Sequence, residues 1–198
     1  MKTPISSGAW SPKTSSSNSE WLRAHGVELI LLVLAGLAIT LLRSYVDWGF
    51  KKMPGHHGLE MMAILAVCRL GSTLRWGTLV AGVSAGLFSL APMWMSGSDA
   101  TLLGPMTFAL QAAAIDLMYR LTQHAFAPMF LLAVATALAH ALKPLIKTGV
   151  HLATGFPFGS LVHGLGWPLM THLLFGFAGG LAGVLLYGLA RRRRKPKS

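Results

Sequence analysis

Long apolar windows with almost no charge constrain this chain more than any other feature. Only 12% of its residues are charged and 53% are hydrophobic, whereas a soluble domain carries about a quarter charged residues. A helix that spans a bilayer needs about 20 predominantly apolar residues. The pattern therefore predicts an all-α integral membrane protein, a bundle of about six transmembrane helices with an outward-facing pocket. The predicted spans are residues 27–46, 58–70, 77–93, 105–121, 125–146 and 167–190.

The second of these spans is short. A helix over residues 58–70 is about 20 Å long, against a hydrocarbon core of about 30 Å. The sequence leaves open whether this span crosses the membrane fully. The preceding PGHHG segment then lies at membrane depth, where irregular backbone is tolerated only if it lines a cavity or packs against protein.

The two ends of the chain differ in composition from the apolar region between them. Residues 1–26 are polar and serine-rich without an early apolar core, which predicts a disordered cytoplasmic leader and not a signal peptide. Residues 191–198, RRRRKPKS, form a basic cytoplasmic tail that we expect to contact anionic lipid. The net charge of the chain is +11. The sequence has no basic motif with interleaved aromatic residues, so we expect no nucleic-acid partner. The transmembrane domain is predicted to be residues 27–190.

Lysine and arginine are distributed unevenly between the two sides of these spans. Twelve fall on the side of the N-terminus and five on the other. Because cytoplasmic loops carry the excess of positive charge, both termini are predicted to be cytoplasmic. We expect a multi-pass protein of a bacterial-type inner membrane, with the PGHHG loop outside.

Polar side chains recur at one depth in the outer third of the predicted bundle. Gln111, His140 and His172 each lie five or six residues, or about 7–9 Å, below an outer helix end, and Glu60 begins the second span. Ionisable residues inside membrane spans are costly and are functional candidates. The alternatives are a structural hydrogen bond for His140, solvated loop histidines, and an interfacial position for the tryptophan. The predicted ligand-binding residues are His56, His57, Glu60, Trp94, Gln111, His140 and His172.

Asp116 and Arg120 are assigned a structural role. Arg120 follows Asp116 at i+4, a spacing that predicts an ion pair within one helix.

No nucleophile is paired with a base, so we predict no catalytic residue and no enzyme. Imidazole ligates cobalt and other transition metals, which makes His56 and His57 weak metal candidates. No cofactor is predicted with certainty.

Two stretches resemble a known family. ALQAAAIDLMYRL and THLLFGFAGGLAGVLLYGLARR, with six spans and an outer polar pocket, resemble the substrate-binding S-components of energy-coupling factor (ECF) transporters. The resemblance implies uptake of a vitamin-like micronutrient, including cobalamin-type or other metal-containing ligands. It also implies a coupling module of one transmembrane subunit and two ATPases. The family often carries Ala-xxx-Ala in its first helix, where this chain has Gly36 and Thr40, so a solitary carrier is an alternative.

Small residues and two rival functions complete the predictions. Glycines and alanines four residues apart in the third and sixth spans predict close helix packing, either within the bundle or against another subunit.

Two other functions are alternatives to a micronutrient carrier. An accessory membrane subunit that holds haem, or that only packs in a larger complex, is one rival. A membrane-embedded metalloenzyme that uses His56, His57 and Glu60 is the other. The chain has no P-loop, so uphill uptake needs a partner or another energy source.

Overall fold

The fold is entirely helical over the residues that the structure, a computed structural model, describes. These are residues 16–46, 53–96, 102–125, 127–161 and 164–193, with only the backbone described for 16–22, 92–96 and Ser160. They contain a 3-10 turn, Gly159–Leu161, and no strand. The helices are α1 Ser16–Tyr45, α2 Gly58–Gly71, α3 Gly77–Ser96, α4 Leu103–Thr122, α5 Pro128–Thr154 and α6 Gly166–Arg193. The predicted all-α class is confirmed.

Within the described part of the chain, three helices are long and apolar enough to cross a membrane. By length and composition these are Arg23–Tyr45, Pro128–Thr154 and Gly166–Arg193. Large apolar side chains remain exposed on every helix except α2, and contiguous surface of this kind marks contact with lipid or protein. These helices indicate a membrane protein. The exposed side chains include Val27, Leu34, Leu87, Leu110, Leu138, Leu174 and Leu185.

The shortest helix lies at the centre of the bundle. α2 packs against each of the other five helices, while the chain otherwise places α1 beside α3, α3 beside α4, α4 beside α5, and α5 beside α6. Met62, Leu65 and Ala66 of α2 are fully buried. Successive helices run in opposite directions. We call the end that carries the turn at residues 53–57 the Gly55 end, and the opposite end the Arg69 end.

Small residues let these helices approach closely, as predicted for packing inside the bundle. A Cβ added to Gly180 of α6 would lie 3.0 Å from Cα of Ala133 in α5. One added to Gly86 of α3 would lie 2.8 Å from the carbonyl oxygen of Pro105 in α4. These faces are therefore occupied by neighbouring helices and are not free to bind another subunit.

The small pair of α1 is occupied in the same way. A Cβ on Gly36 would lie 2.6 Å from the carbonyl oxygen of Ala81, and the Thr40 hydroxyl donates to the carbonyl of Ala85 at 3.1 Å. Both contacts are with α3. Gly36 and Thr40 thus hold α1 against its own bundle.

Two helix boundaries differ from the hydropathy windows. α1 begins at Ser16, so the prediction of disorder is wrong for residues 16–26, whereas residues 1–15 lie outside the described part. Residues 16–26 include Glu20, Leu22 and Ala24, and good helix formers propagate a helix that an adjoining apolar segment has nucleated. α5 continues through Pro144 to Thr154 instead of ending near residue 146. The basic tail is helical to Arg193, and residues 194–198 lie outside the described part.

The predicted ion pair between Asp116 and Arg120 is wrong. The buried Asp116 carboxylate accepts a hydrogen bond from the Arg69 guanidinium of α2 at 2.8 Å, and its second oxygen accepts from the N–H of Leu79 at 2.8 Å. Arg120 instead donates to the carbonyl of Arg75 at 2.8 Å and stacks over Trp76. The i+4 spacing permits a pair, but an arginine of the central helix is already buried beside the carboxylate. A buried guanidinium requires an opposite charge more than a partly exposed one does, so Arg69 is the partner of Asp116.

The same end of the bundle fixes the connection between α2 and α3. Arg69 donates to the carbonyls of Ser72 and Leu74 at 3.2 and 3.1 Å. The Glu28 carboxylate of α1 accepts from the hydroxyl of Ser72, from the N–H and hydroxyl of Thr73, and from the N–H of Leu74. Glu28 and Arg69 thereby satisfy backbone N–H and carbonyl groups that would otherwise lack hydrogen-bond partners. These hydrogen bonds therefore fix the conformation of the connection between α2 and α3.

Candidate functional site

A tight turn closes the Gly55 end over two helices. The N–H of Gly58, at the start of α2, donates to the carbonyl of Gly55 in the turn at residues 53–57 at 2.8 Å. Gly55 has φ of +82°, which favours glycine. A Cβ at this position would also lie 2.7 Å from the ring of His172. The turn therefore depends on glycine for both its backbone conformation and its fit.

Two buried histidines lie beneath this turn. The rings of His140 in α5 and His172 in α6 stack with centroids 4.7 Å apart. His172 Nδ1 donates to the carbonyl of Pro168 at 2.7 Å, and His140 Nε2 donates to the carbonyl of Gly55 at 3.0 Å. His140 Nδ1 has no partner among the described residues. Because Nε2 carries the proton in this arrangement, Nδ1 of a neutral His140 is a free acceptor.

The start of α2 contributes a second polar pair. His57 Nδ1 lies 2.8 Å from Oε1 of Glu60, and Glu60 is 7% exposed. Oε2 of Glu60 has no partner among the described residues. The carboxylate lies in the first turn of α2, where the helix dipole favours negative charge. Burial lowers the pKa of His57 below its ordinary value, and the hydrogen bond to Glu60 opposes that shift.

These groups surround one polar cavity. Its volume is about 10 Å³, which is room for about one water molecule. An adjoining cavity of about 190 Å³ shares Arg43 and Phe108 with it. The residues that line the polar cavity are Ile39, Arg43, His57, Glu60, Met61, Thr107, Phe108, Gln111, His140 and Lys143.

The structure brings together four of the seven predicted ligand-binding residues, His57, Glu60, Gln111 and His140. Gln111 Nε2 lies 3.5 Å from the carbonyl oxygen of His140. Their convergence is as predicted, whereas ligand binding stays a prediction.

The other three predicted residues do not line this cavity. His172 lies behind His140 as a stacking partner. The Nδ1 atom of His56 points to the carbonyl of Met53 at 2.8 Å, away from Glu60. The side chain of Trp94 lies outside the described part.

Two cationic residues of the cavity were missed by the sequence reasoning. Arg43 ends α1 and Lys143 follows His140 by three residues in α5, and both line the cavity. The i, i+3 spacing that places Lys143 on the face of His140 was readable from the sequence.

A resident metal site is not formed within the described ranges. They contain no group of three histidine, cysteine or acidic side chains able to hold a metal ion. The rings of His56 and His57 lie 3.9 Å apart at 41°, but their Nδ1 atoms contact different acceptors.

A separate apolar groove lies away from this cavity. It has a volume of about 350 Å³ and runs between α1, α2 and α6, where it is lined mainly by apolar side chains such as Leu31, Ile64 and Leu186. Its carboxylate, Glu28, is occupied by the connection between α2 and α3. The groove lacks the convergent polar groups that orient a small polar ligand.

Comparison of this chain with models of protein families, with curated proteins and with solved structures finds no match. Function is therefore inferred from the residues and their geometry.

Proposed function

We propose that this protein is a membrane substrate-binding subunit for the uptake of a vitamin-like micronutrient, similar to the S-components of ECF transporters. One observation supports this most strongly. Polar side chains from four helices, α1, α2, α4 and α5, surround one cavity at the Gly55 end, and two of them are incompletely paired. A buried polar group without a partner costs about 1–3 kcal/mol. Oε2 of Glu60 and Nδ1 of His140 are therefore positioned to hydrogen-bond to a ligand.

We place all six helices in the bilayer of a bacterial-type inner membrane. The central position of α2 supports this placement, because five neighbouring helices pack around its short length. The Gly55 end is assigned to the outside, since twelve of 17 lysines and arginines then lie on the cytoplasmic side. The polar cavity then faces the medium from which a micronutrient is taken up.

Access to the cavity requires the turn at residues 53–57 to move. A pocket for a vitamin-sized ligand has a volume of about 300–1,000 Å³, whereas this cavity is about 10 Å³. The turn is held by the hydrogen bonds from His140 to Gly55 and from His57 to Glu60. Losing two such bonds costs a few kcal/mol, at which an open state is populated to about 0.1–10%.

The energy for uptake comes from outside this chain if the uptake is uphill. An ECF transmembrane subunit with two ATPases is one partner of this proposal, and operation as a solitary carrier is the other. Gly36 and Thr40 bear on the choice, because they occupy the position of the family's docking motif but pack on α3. A coupling subunit would therefore need a different surface of α1.

Small molecules that co-purify with the detergent-solubilised protein test this proposal. Mass spectrometry should detect a bound compound, and calorimetric titration should show about 3- to 150-fold weaker binding after Glu60→Gln or His140→Gln. His56→Gln is the matched control, because His56 does not line the cavity. Parent-like binding by both cavity variants would overturn the proposal. A haem absorbance band would favour the accessory-subunit function.

A further inference from the structure

Three cationic side chains gather at the Gly55 end. Arg43 and Lys143 line the polar cavity, and Lys147 lies one turn beyond Lys143 on α5. Arg43 is close enough to repel both lysines and to attract the Glu60 carboxylate. These three residues, which we call the cationic cluster, come from helices that are distant in sequence.

The cationic cluster has little negative charge to balance it. Glu60 is the one carboxylate at this end within the described residues, and it already bonds His57. Glu28 and Asp116 lie at the Arg69 end and have their own partners there. Asp47 and Asp99 lie outside the described residues. Excess charge of one sign among apolar helices is unfavourable unless an opposite charge arrives.

We infer that the transported ligand carries an anionic group, a carboxylate or a phosphate, that binds between Arg43 and Lys143. This inference rests on the proposed function. The guanidinium fork suits two oxygens of one anion, and the ammonium adds a compact charge. Arg43 stacks 5.3 Å from the ring centroid of Phe108, which orients it toward the two adjoining cavities.

The remaining polar groups of the cavity offer a second set of contacts to the ligand. Oε2 of Glu60 and Nδ1 of His140 are both acceptors without partners in the described ranges. They suit N–H or O–H donors on the same molecule. A small anion that also bears hydrogen-bond donors fits this arrangement, whereas a free metal cation would meet the repulsion of the cationic cluster.

Inorganic phosphate is the first probe, because the ligand is unidentified. Phosphate should raise the thermal midpoint of the detergent-solubilised parent protein at constant ionic strength, with chloride as the balancing anion. Arg43→Gln and Lys143→Gln should each weaken the apparent phosphate affinity about 10- to 150-fold, as expected for a hydrogen bond to a charged group. Lys143→Arg should retain most of the effect. Arg191→Gln, a change in the exposed basic stretch at the other end, should behave like the parent.

Further readouts keep the inference separate from the proposed function. Any compound released from the purified protein should bind an anion-exchange resin, and a released compound that is neutral or cationic would overturn the inference while the carrier function stands. If Glu60→Gln and His140→Gln bind the compound like the parent but phosphate still acts through Arg43, the anion site stands and the carrier proposal fails. No stabilisation by phosphate, or equal stabilisation of Arg43→Gln, would overturn the inference. If Lys143→Gln does not fold, the comparison of Lys143→Arg with the parent decides.

Discussion

Breaking the ion pair between Arg69 and Asp116 should destabilise the bundle strongly. The side chain of Asp116 is fully buried and that of Arg69 is 8% exposed. Asp116→Asn removes the charge while keeping the size, and it leaves the guanidinium buried without its counter-charge. Arg69→Met has the converse effect on the carboxylate. Breaking one partner of a buried pair costs about 3–5 kcal/mol.

This cost converts into a large shift of the thermal midpoint. For a chain of 150–250 residues, 1 kcal/mol corresponds to about 2–4 °C, so each variant should unfold about 6–20 °C below the parent. Asp116→Asn should lie near the lower bound, because an asparagine oxygen can still accept from the N–H of Leu79. The double variant should be about 1–3 kcal/mol more stable than the sum of the two single effects, since each single change leaves one charge unpaired.

Two probes of unfolding in detergent measure these shifts. The single cysteine, Cys68, is partly buried on α2 and should react with a maleimide dye when α2 separates from its neighbours. Tryptophan fluorescence gives an independent midpoint. Arg120→Gln is the control, because Arg120 donates to the carbonyl of Arg75 and stacks over Trp76, whereas Asp116 pairs with Arg69. If Arg120→Gln were as costly as Arg69→Met and coupled to Asp116→Asn, the assignment of the pair would be refuted.

Three further outcomes follow from the packing, the orientation and the turn. Gly183→Ala should lower the free energy of unfolding by about 1–3 kcal/mol, because its Cβ would lie 2.9 Å from that of Ala66 in α2. Gly188→Ala meets open space and should be neutral or slightly stabilising in the same thermal assay. In a Cys68→Ala background, an impermeant thiol reagent on whole cells should label a cysteine at Thr154 and not one at Arg193; the reverse pattern would invert the proposed orientation. Because the pKa of His57 is lowered in the folded protein, the folded state should lose stability as the pH falls below about 6.5 and protonation begins to favour unfolding. His57→Gln should flatten that part of the curve of midpoint against pH, and an unchanged curve would show that His57 does not contribute.

The helices could be predicted from the sequence because hydropathy is a local property. Every apolar window lies largely within a helix, including the short one at Gly58–Gly71. The ends were less predictable, because helix continuation depends on propensity and packing outside the apolar window. α1 therefore begins at Ser16, and α5 passes through Pro144.

The site was partly predictable for a similar reason. A constant rise per residue places Gln111 and His140 at one depth without any knowledge of tertiary contacts. It cannot determine how neighbouring residues of a turn point, so His57 faces the cavity while His56 contacts Met53. Nor can local spacing choose between two arginines for Asp116, because the actual partner is 47 residues away in sequence.

The unequal attachment of the two ends of α2 bears on which element would move if, as proposed, a ligand enters the cavity. At the Arg69 end, the guanidinium donates to Asp116 and to backbone carbonyls beyond the helix. At the other end, Gly179 of α6 packs directly on the carbonyls of Gly58 and Leu59, so the first turn of α2 has little room to tilt. Just before Gly58, Gly55 lies close to the His172 ring, and the turn is otherwise joined to the bundle by hydrogen bonds from His140 to Gly55 and from His57 to Glu60. Under the proposed function, opening would therefore displace the turn at residues 53–57 and leave α2 in place as the floor of the cavity.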